Sequence, residues 1–548
     1  MFKMIWTTSA LFPMLCFLVQ SVPIPNNLLV TVPNGAIQGA TYSTGNNISY
    51  FGFRGIPFAT PPIDDLRFEP PQPAQPWTGI LDATQDASGC ISIFHGDSTV
   101  VESEDCLYLN VYVPNVQLAE DFPVMFFIFG GGFREGNSSK LFYGPDFLME
   151  RGNVILVTFN YRLGAFGFIS TEDEVLPGNA GLKDQNLALQ WTYENIIYFG
   201  GDPNKITIFG ESAGGASTGL HLVSKKSAGL FRAAIVQSGS AVNSWSILRD
   251  SKTLTYKLVN GIPGGNIVNT SQELKTFLKS RNVTEIMASE NANEILFGPV
   301  LEPPNENSFL SEYPYQLLDT GDFNQVPIII GICAEESLLF LKDLQTTALA
   351  AKNADLYPAL LIPSDLLPNS TDEDIVAEEI KNIYLTDNQT FSSNLTAYAE
   401  YLSDAGFAVG ILKHAQLTSN YMPVHLYRFA YYGRPVAIPF LEGAEKATHS
   451  AEMPFLFNIS TYSNTSDSQD LLIQKQITTL WANFAVYLNP TPDESNLLTN
   501  LIWPALDDEQ SFLNINNTLE VGTHLKEEIY SKWSSIYETY GRKPFITF

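Results

Sequence analysis

The chain has 548 residues, 45% of them hydrophobic and 12% aromatic, enough to bury a large core. With 58 acidic against 30 basic residues its formal net charge is −28. A polyanion of this kind repels phosphate backbones and anionic lipid, so nucleic acid is excluded as a partner.

The N-terminus reads as a signal peptide. Lys3 supplies the basic part, Ile5 to Val19 the apolar part, and Val19 and Ser21 the small or β-branched residues of a cleavage site. The expected signal segment is 1–21. Its apolar run is shorter than the roughly 20 residues of a spanning helix, and no later run is longer, so stable membrane insertion is not expected. Residues Arg542–Phe545 do not form the apolar tail of a lipid-anchor signal. Sequons begin at Asn47, Asn137, Asn269, Asn282, Asn369, Asn388, Asn394, Asn458, Asn464 and Asn516, which suits a secreted, extracellular glycoprotein.

Four cysteines are present, and Cys16 leaves with the signal segment. Of the remaining three, Cys90 and Cys106 are the local pair. A disulfide there closes a loop of about 15 residues and stabilises by roughly 3 kcal/mol in the chain-entropy model. Cys333 lies in an apolar run and reads as a buried free thiol.

Short apolar, β-branched runs then recur at Val124–Phe129, Val154–Phe159, Ile206–Phe209, Ala233–Val236, Val326–Ile330 and His425–Phe429. They are hydrophobic throughout rather than alternating, as strands of a parallel sheet buried on both faces are. Residues 340 to 420 and Leu471–Leu488 read as helical. No repeat or linker interrupts this order. The expectation is one α/β domain, 22–548, with a large, mostly parallel central sheet and helices on both faces.

The chemistry is concentrated in four stretches. Phe129-Gly130-Gly131-Gly132 follows the first of these strands, and a backbone without side chains there can approach a substrate. Gly210-Glu211-Ser212-Ala213-Gly214 follows the third and matches the G-x-S-x-G elbow, in which a strained strand-to-helix turn exposes a serine oxygen. The N–H groups of Gly131, Gly132 and Ala213 are candidate donors to a developing oxyanion. After Val326–Ile332 come Glu335 and Glu336, and spacing alone does not choose between them as the acid of a triad. A general base must be one of six histidines, among them His95, His414 and His524. His221 leaves the elbow on a helix and points away, and His425 begins a core strand. His449, in a late polar loop, fits the order serine, acid, histidine. No clustered His/Asp ligand set or Gly-rich phosphate loop appears, so no metal or cofactor is expected.

These stretches resemble the type-B carboxylesterase family, which includes the cholinesterases, and most of all its secreted arthropod members. The likeness also runs through Phe53-Arg54-Gly55-Ile56-Pro57-Phe58-Ala59, Glu104-Asp105-Cys106-Leu107-Tyr108-Leu109-Asn110, Asn160-Tyr161-Arg162-Leu163-Gly164, Gly178-Asn179-Ala180-Gly181-Leu182-Lys183-Asp184-Gln185 and Phe199-Gly200-Gly201-Asp202-Pro203. It implies the α/β-hydrolase fold and a Ser212-Glu336-His449 triad. Glu336 is preferred because the family's G-x-x-x-D/E-E-G segment aligns with Gly331 to Ser337, with Ser337 in place of the usual glycine. A second conserved-type stretch of the family surrounds His449 and Glu452. The resemblance further implies ion pairs Arg54–Glu104 and Arg162–Asp184, Ser238 beside the acid, Glu211 beside the nucleophile, and Trp245 in the acyl pocket.

Departures from the family narrow the expected substrate. The Cys90–Cys106 loop holds no tryptophan, where cholinesterases carry a cation-binding one, and it is short, where the fungal lipases carry a lid. Members acting on juvenile hormone usually have Gln before the serine, where this chain has Glu211. The expected activity is hydrolysis of small soluble carboxylic esters through an acyl-enzyme. The alternative is a non-catalytic or ester-sequestering binding protein on the same fold, which an intact serine, acid and histidine disfavour.

Overall fold

The computed structural model describes residues 27–92, 101–116, 121–341, 343–386, 388–433, 441–460, 467–493 and 495–548. The expected signal segment, Cys16, His95 and the Asn464 sequon lie outside them.

An eleven-stranded sheet forms the centre of the molecule. In chain order its strands are β1 (Ala40–Ser43), β2 (Ser49–Pro57), β3 (Tyr108–Pro114), β4 (Phe122–Ile128), β5 (Ile155–Phe159), β6 (Gly201–Glu211), β7 (Ala233–Gln237), β8 (Ile328–Cys333), β9 (Val424–Phe429), β10 (Ser511–Ile515) and β11 (Leu519–Thr523). Across the sheet they run β11-β10-β9-β8-β7-β6-β4-β5-β3-β2-β1. From β5 to β10 neighbours are parallel. The edges, β1 to β3 and β11, pair antiparallel. Every residue of β5, β7 and β8 is buried, which is why these segments carry unbroken hydrophobic sequence.

Helices cover this sheet. Ala213–Val223, buried along its whole length, packs on β6 and β7. Ser468–Tyr487 packs on β4 and β6, where Trp481 donates its indole N–H to the Gln237 amide oxygen Oε1 at 3.1 Å. The stretch expected to be helical holds Leu344–Leu356, Glu373–Tyr384, Leu395–Ser403 and Val409–Ser419. These helices build a second apolar cluster around Val376, Ile380 and Tyr401, completed by Trp533 and Tyr537 from Glu527–Tyr540.

Cys90 and Cys106 form the expected disulfide, and Cys333 is a buried free cysteine. Arg162 and Asp184 pair as expected, with two guanidinium bonds of 2.7 and 2.8 Å. The expected Arg54–Glu104 pair does not form. Arg54 lies on β2 beside the 83–86 segment, where it bonds Asp86 at 2.9 Å. Glu104, next to the disulfide, instead receives both arms of the Arg67 fork at 2.6 Å. Backbone pairing of Arg54 with Ala83 commits its side chain to that neighbour. Among the described residues no helix is long and apolar enough to cross a membrane.

Candidate active site

At the end of β6 the chain turns into the helix Ala213–Val223 through Ser212, whose φ of 60° and ψ of −125° lie outside the regions open to ordinary residues. Two backbone bonds hold this geometry. Ser212 N–H donates to Gln237 O on β7, and Ser212 O accepts from Ala216 N–H, each at 2.9 Å. Strain fixed by its surroundings is what sets a serine hydroxyl on the rim of a sheet rather than inside a helix.

The glycine loop after β4 lies directly against this turn. A side chain at Gly130 would meet the Glu211 carbonyl at 2.6 Å and Ser212 Cβ at 2.9 Å. Gly131 has a φ of +104°, and its carbonyl accepts from Arg134 and Glu135 N–H groups at 3.0 and 3.1 Å, which curls the loop. Among the described residues the N–H groups of Gly131, Gly132 and Ala213 donate to no carbonyl, and the last stands at a helix N-terminus, where N–H groups lack intrahelical partners.

β8 leads to the candidate acid. Just beyond it, Glu336 is 1% exposed, and its two oxygens have separate tasks. Oε1 accepts from Cys333 N–H and Ser238 Oγ–H, both at 2.7 Å. Oε2 is 2.6 Å from His449 Nδ1. The neighbouring Glu335 faces elsewhere and accepts from Ser403 Oγ–H at 2.6 Å. Ser337 needs no positive φ, and its own bonds to Ser403 and Ala399 secure the turn where the family has glycine.

His449 is 2% exposed, on a loop whose backbone is tied to Glu336 O at 3.3 Å. Its Nε2 is 3.2 Å from Glu211 Oε1 and makes no hydrogen bond among the described residues, so the free nitrogen lies against the residue preceding Ser212. Phe407 and Phe340 wall the ring at centroid distances of 4.7 and 5.2 Å. Trp245 lies between Phe407 and Phe133 of the glycine loop, tilted to both at centroid distances of 5.8 and 6.4 Å, and gives its indole N–H to Gly406 O at 2.6 Å. Every site residue singled out in the sequence is therefore drawn into one place, apart from Cys90 and Cys106, which form their bond outside it.

Two of the other histidines are held elsewhere, and His414 bonds Ser240 Oγ at 3.1 Å. His221 bonds Ser227 Oγ at 2.7 Å and Gln185 at 3.2 Å, and burial pushes its pKa down to about 3. Burial likewise takes His425 down to about 4, the backbone carbonyls of Pro504 and Trp503 opposing it. Sequence reasoning missed Phe340, Phe407 and the Cys333 N–H. The aromatics come from the helical region, with no local pattern to mark them, and a backbone donor carries no side-chain signature.

Charge around the imidazole is unusual. Burial lowers the basicity of His449, but the carboxylates of Glu211 and Glu336 outweigh it and push the ring up to about 9. Burial raises Glu211 to about 7, His449 pulling it down and Glu452 pushing it up. Glu211 also accepts from Ser450 Oγ–H at 2.5 Å. Buried Glu452 accepts from Gln237 Nε2–H at 3.1 Å and from the Cys333 thiol at 3.0 Å. A base that must be neutral to accept a proton gives a rate that rises with pH, with an apparent pKa shared by the cluster. For ester hydrolysis we expect kcat/KM to climb through the alkaline range toward about pH 9. Glu211→Gln removes the carboxylate nearest Nε2, so the acid limb of the pH profile moves to lower pH; an unmoved limb contradicts this electrostatic account.

The carboxylesterase family model matches residues 26–533. Juvenile hormone esterase of Tribolium castaneum is 34% identical over 527 residues, covering 89% of this chain and 87% of that protein. Esterase FE4 of Myzus persicae is 34% identical, covering 88% and 87%. Venom carboxylesterase-6 of Apis mellifera is 32% identical, covering 92% and 94%. Among solved structures, the juvenile hormone esterase of Manduca sexta with OTFP covalently attached superposes with a TM-score of 0.82 at 28% identity, over 93% of this chain and 99% of that one. The expected α/β-hydrolase architecture is thus shared with a solved esterase.

Proposed function

Because the chain belongs to the carboxylesterase family and is a carboxylic-ester hydrolase, we propose that it works by two-step acyl transfer on Ser212, with His449 as general base and Glu336 as the acid that orients it. One observation carries this reading: Glu336 Oε2 at 2.6 Å from Nδ1 leaves Nε2 as the free nitrogen, turned toward the serine elbow. In acylation, Nε2 takes the Ser212 proton as Oγ attacks the ester carbonyl. The carbonyl oxygen gains its negative charge beside the N–H groups of Gly131, Gly132 and Ala213. Collapse expels the alkoxide, which receives the proton from Nε2 and leaves as alcohol. Water then gives a proton to Nε2, attacks the acyl-enzyme, and returns Ser212 as the carboxylic acid departs. Glu336 stays ionised throughout and keeps the Nδ1–H in place, while Ser238 and Cys333 N–H hold Glu336.

Trp245, with Phe133 and Phe407, bounds the space beside His449, and we assign it to the acyl pocket. The test is hydrolysis of p-nitrophenyl esters of increasing acyl length by the native chain and by Ser212→Ala. Turnover that is lost in the variant supports the reading, and equal turnover in the variant overturns it. In the same series Trp245→Ala shifts the preferred acyl length upward, since removing an indole opens space for several methylenes. An unchanged preference places the acyl group elsewhere.

Secretion is part of this proposal. The signal-like segment 1–21, the Cys90–Cys106 disulfide and exposed sequons support it. Among the sequons Asn47 and Asn369 are exposed, whereas Asn458 commits its Nδ2–H to buried Asp146 at 2.8 Å. Peptide mapping after deglycosylation of the secreted protein is expected to find glycan at the exposed sites and none at Asn458. Glycan at Asn458 contradicts the expectation. We read the domain as continuous over 22–548, acting on small soluble esters without nucleic acid or a membrane-inserted segment.

A further inference from the structure

A second cavity lies away from the serine, between the loop that follows Trp245 and the segment Arg542–Ile546, with a volume of about 460 Å³. Its lining includes the apolar residues Leu248, Val300, Pro544 and Ile546. It also includes Arg249, Arg542 and Lys543 with Glu172 and Asp365, three cations against two carboxylates, on a chain whose net charge is −28.

The two signs differ in how they are satisfied. Asp365 accepts from Tyr537 Oη–H and Thr547 Oγ1–H, both at 2.8 Å, and Glu172 accepts from Lys252 N–H at 3.2 Å. Arg249 donates only from Nη2, to Thr547 Oγ1 at 2.8 Å. Its Nε and Nη1 are buried and donate to nothing among the described residues. The guanidinium of Arg542 makes no ion pair or hydrogen bond with another described residue, and Lys543 has a loose surface pairing with Glu538 at 3.5 Å and lies over the Phe545 ring at 5.6 Å. Leaving the buried Nε and Nη1 donors of Arg249 unpaired costs free energy, which a bound anion recovers, with exposed Arg542 at the rim adding charge. Burial also depresses the pKa of Arg249, with Asp365 opposing it, as expected of a cation short of partners.

We propose that this cavity binds an amphiphilic carboxylate of medium chain length, its carboxylate against Arg249 and Arg542 and its alkyl chain along Leu248, Val300 and Ile546. A bare inorganic anion leaves the apolar residues unused, and a neutral alcohol leaves the cations unpaired. The site is independent of the reading of Ser212. It is also mechanically joined to the acyl-pocket loop, because Leu248 N–H donates to Pro299 O at 2.7 Å.

Calorimetric titration of the full chain with decanoate tests this, using native protein, Arg249→Met, Arg542→Met and Trp245→Ala. The expected result is one site that survives Trp245→Ala and weakens about tenfold or more in each arginine variant, as loss of a charged hydrogen bond does. Acetate and decanol are expected to bind at least about tenfold more weakly than decanoate, each lacking one half of the recognition. Should Arg249→Met fold poorly, exposed Arg542→Met alone decides. Decanoate binding that is lost in Trp245→Ala, that is unchanged in Arg542→Met, or that acetate matches, overturns the proposal.

Discussion

Glu336→Gln is expected to lower kcat for p-nitrophenyl butyrate by about 10⁴-fold while leaving the fold intact. The reason lies in what surrounds the carboxylate. Oε1 of Glu336 is held by two donors, Cys333 N–H and Ser238 Oγ–H. A glutamine amide placed there must turn its carbonyl oxygen to those donors and its NH₂ toward His449 Nδ1. Nδ1 then becomes an acceptor, the ring proton moves to Nε2, and the nitrogen that should take the Ser212 proton already carries one. Volume and hydrogen-bond count are preserved, so the melting temperature changes little. KM for a substrate held by the acyl pocket also changes little. Glu335→Gln is the internal control: that carboxylate bonds Ser403 instead, so the substitution leaves kcat within a few-fold. If the two variants lost activity equally, the assignment of the acid would be wrong.

The second large effect is expected at Gly131→Ala, a fall in kcat of about 10²–10³-fold from displacing one oxyanion donor. At a φ of +104° an alanine is strained, and its Cβ would collide with the Glu135 carbonyl oxygen. The loop has to open, and the N–H proposed as an oxyanion donor moves with it. Gly132→Ala separates this from general crowding. Its φ of +60° is accessible to alanine at a cost of about 1 kcal/mol, and no atom lies within 4 Å of the added Cβ. Gly132→Ala should therefore keep most of its activity, with a slightly lower melting temperature. Loss of comparable size in both variants would mean that the loop tolerates no side chain, rather than that one N–H has been moved.

Both variants depend on details that were unequally visible in the sequence. The elbow was legible because strain leaves a compositional mark: glycines flank Ser212, and an apolar strand precedes it. The sheet was legible for a similar reason. Strands buried on both faces carry no polar alternation, and β5, β7 and β8 each read as one apolar run. Adjacent Glu335 and Glu336 were equivalent by spacing, and only likeness to a family separated them. In three dimensions they diverge because consecutive residues leaving a strand point to different sides, one to Ser403 and the other to His449. Arg54 shows how such likeness can mislead. The acid it meets is Asp86, set by the pairing of β2 with the 83–86 segment, while Glu104 belongs to Arg67. Phe340 and Phe407 reach His449 from the helical region, and nothing within a few residues of either announces that destination.

Intact mass measured within milliseconds of mixing with p-nitrophenyl butyrate tests most directly whether Ser212 carries the acyl group during turnover. The expected result is a transient species heavier by one butyryl group, mapped to the peptide containing Ser212, formed in step with a burst of p-nitrophenol and absent from Ser212→Ala. Steady hydrolysis by the native chain with no acylated species, or a butyryl group found on any other residue, would contradict it.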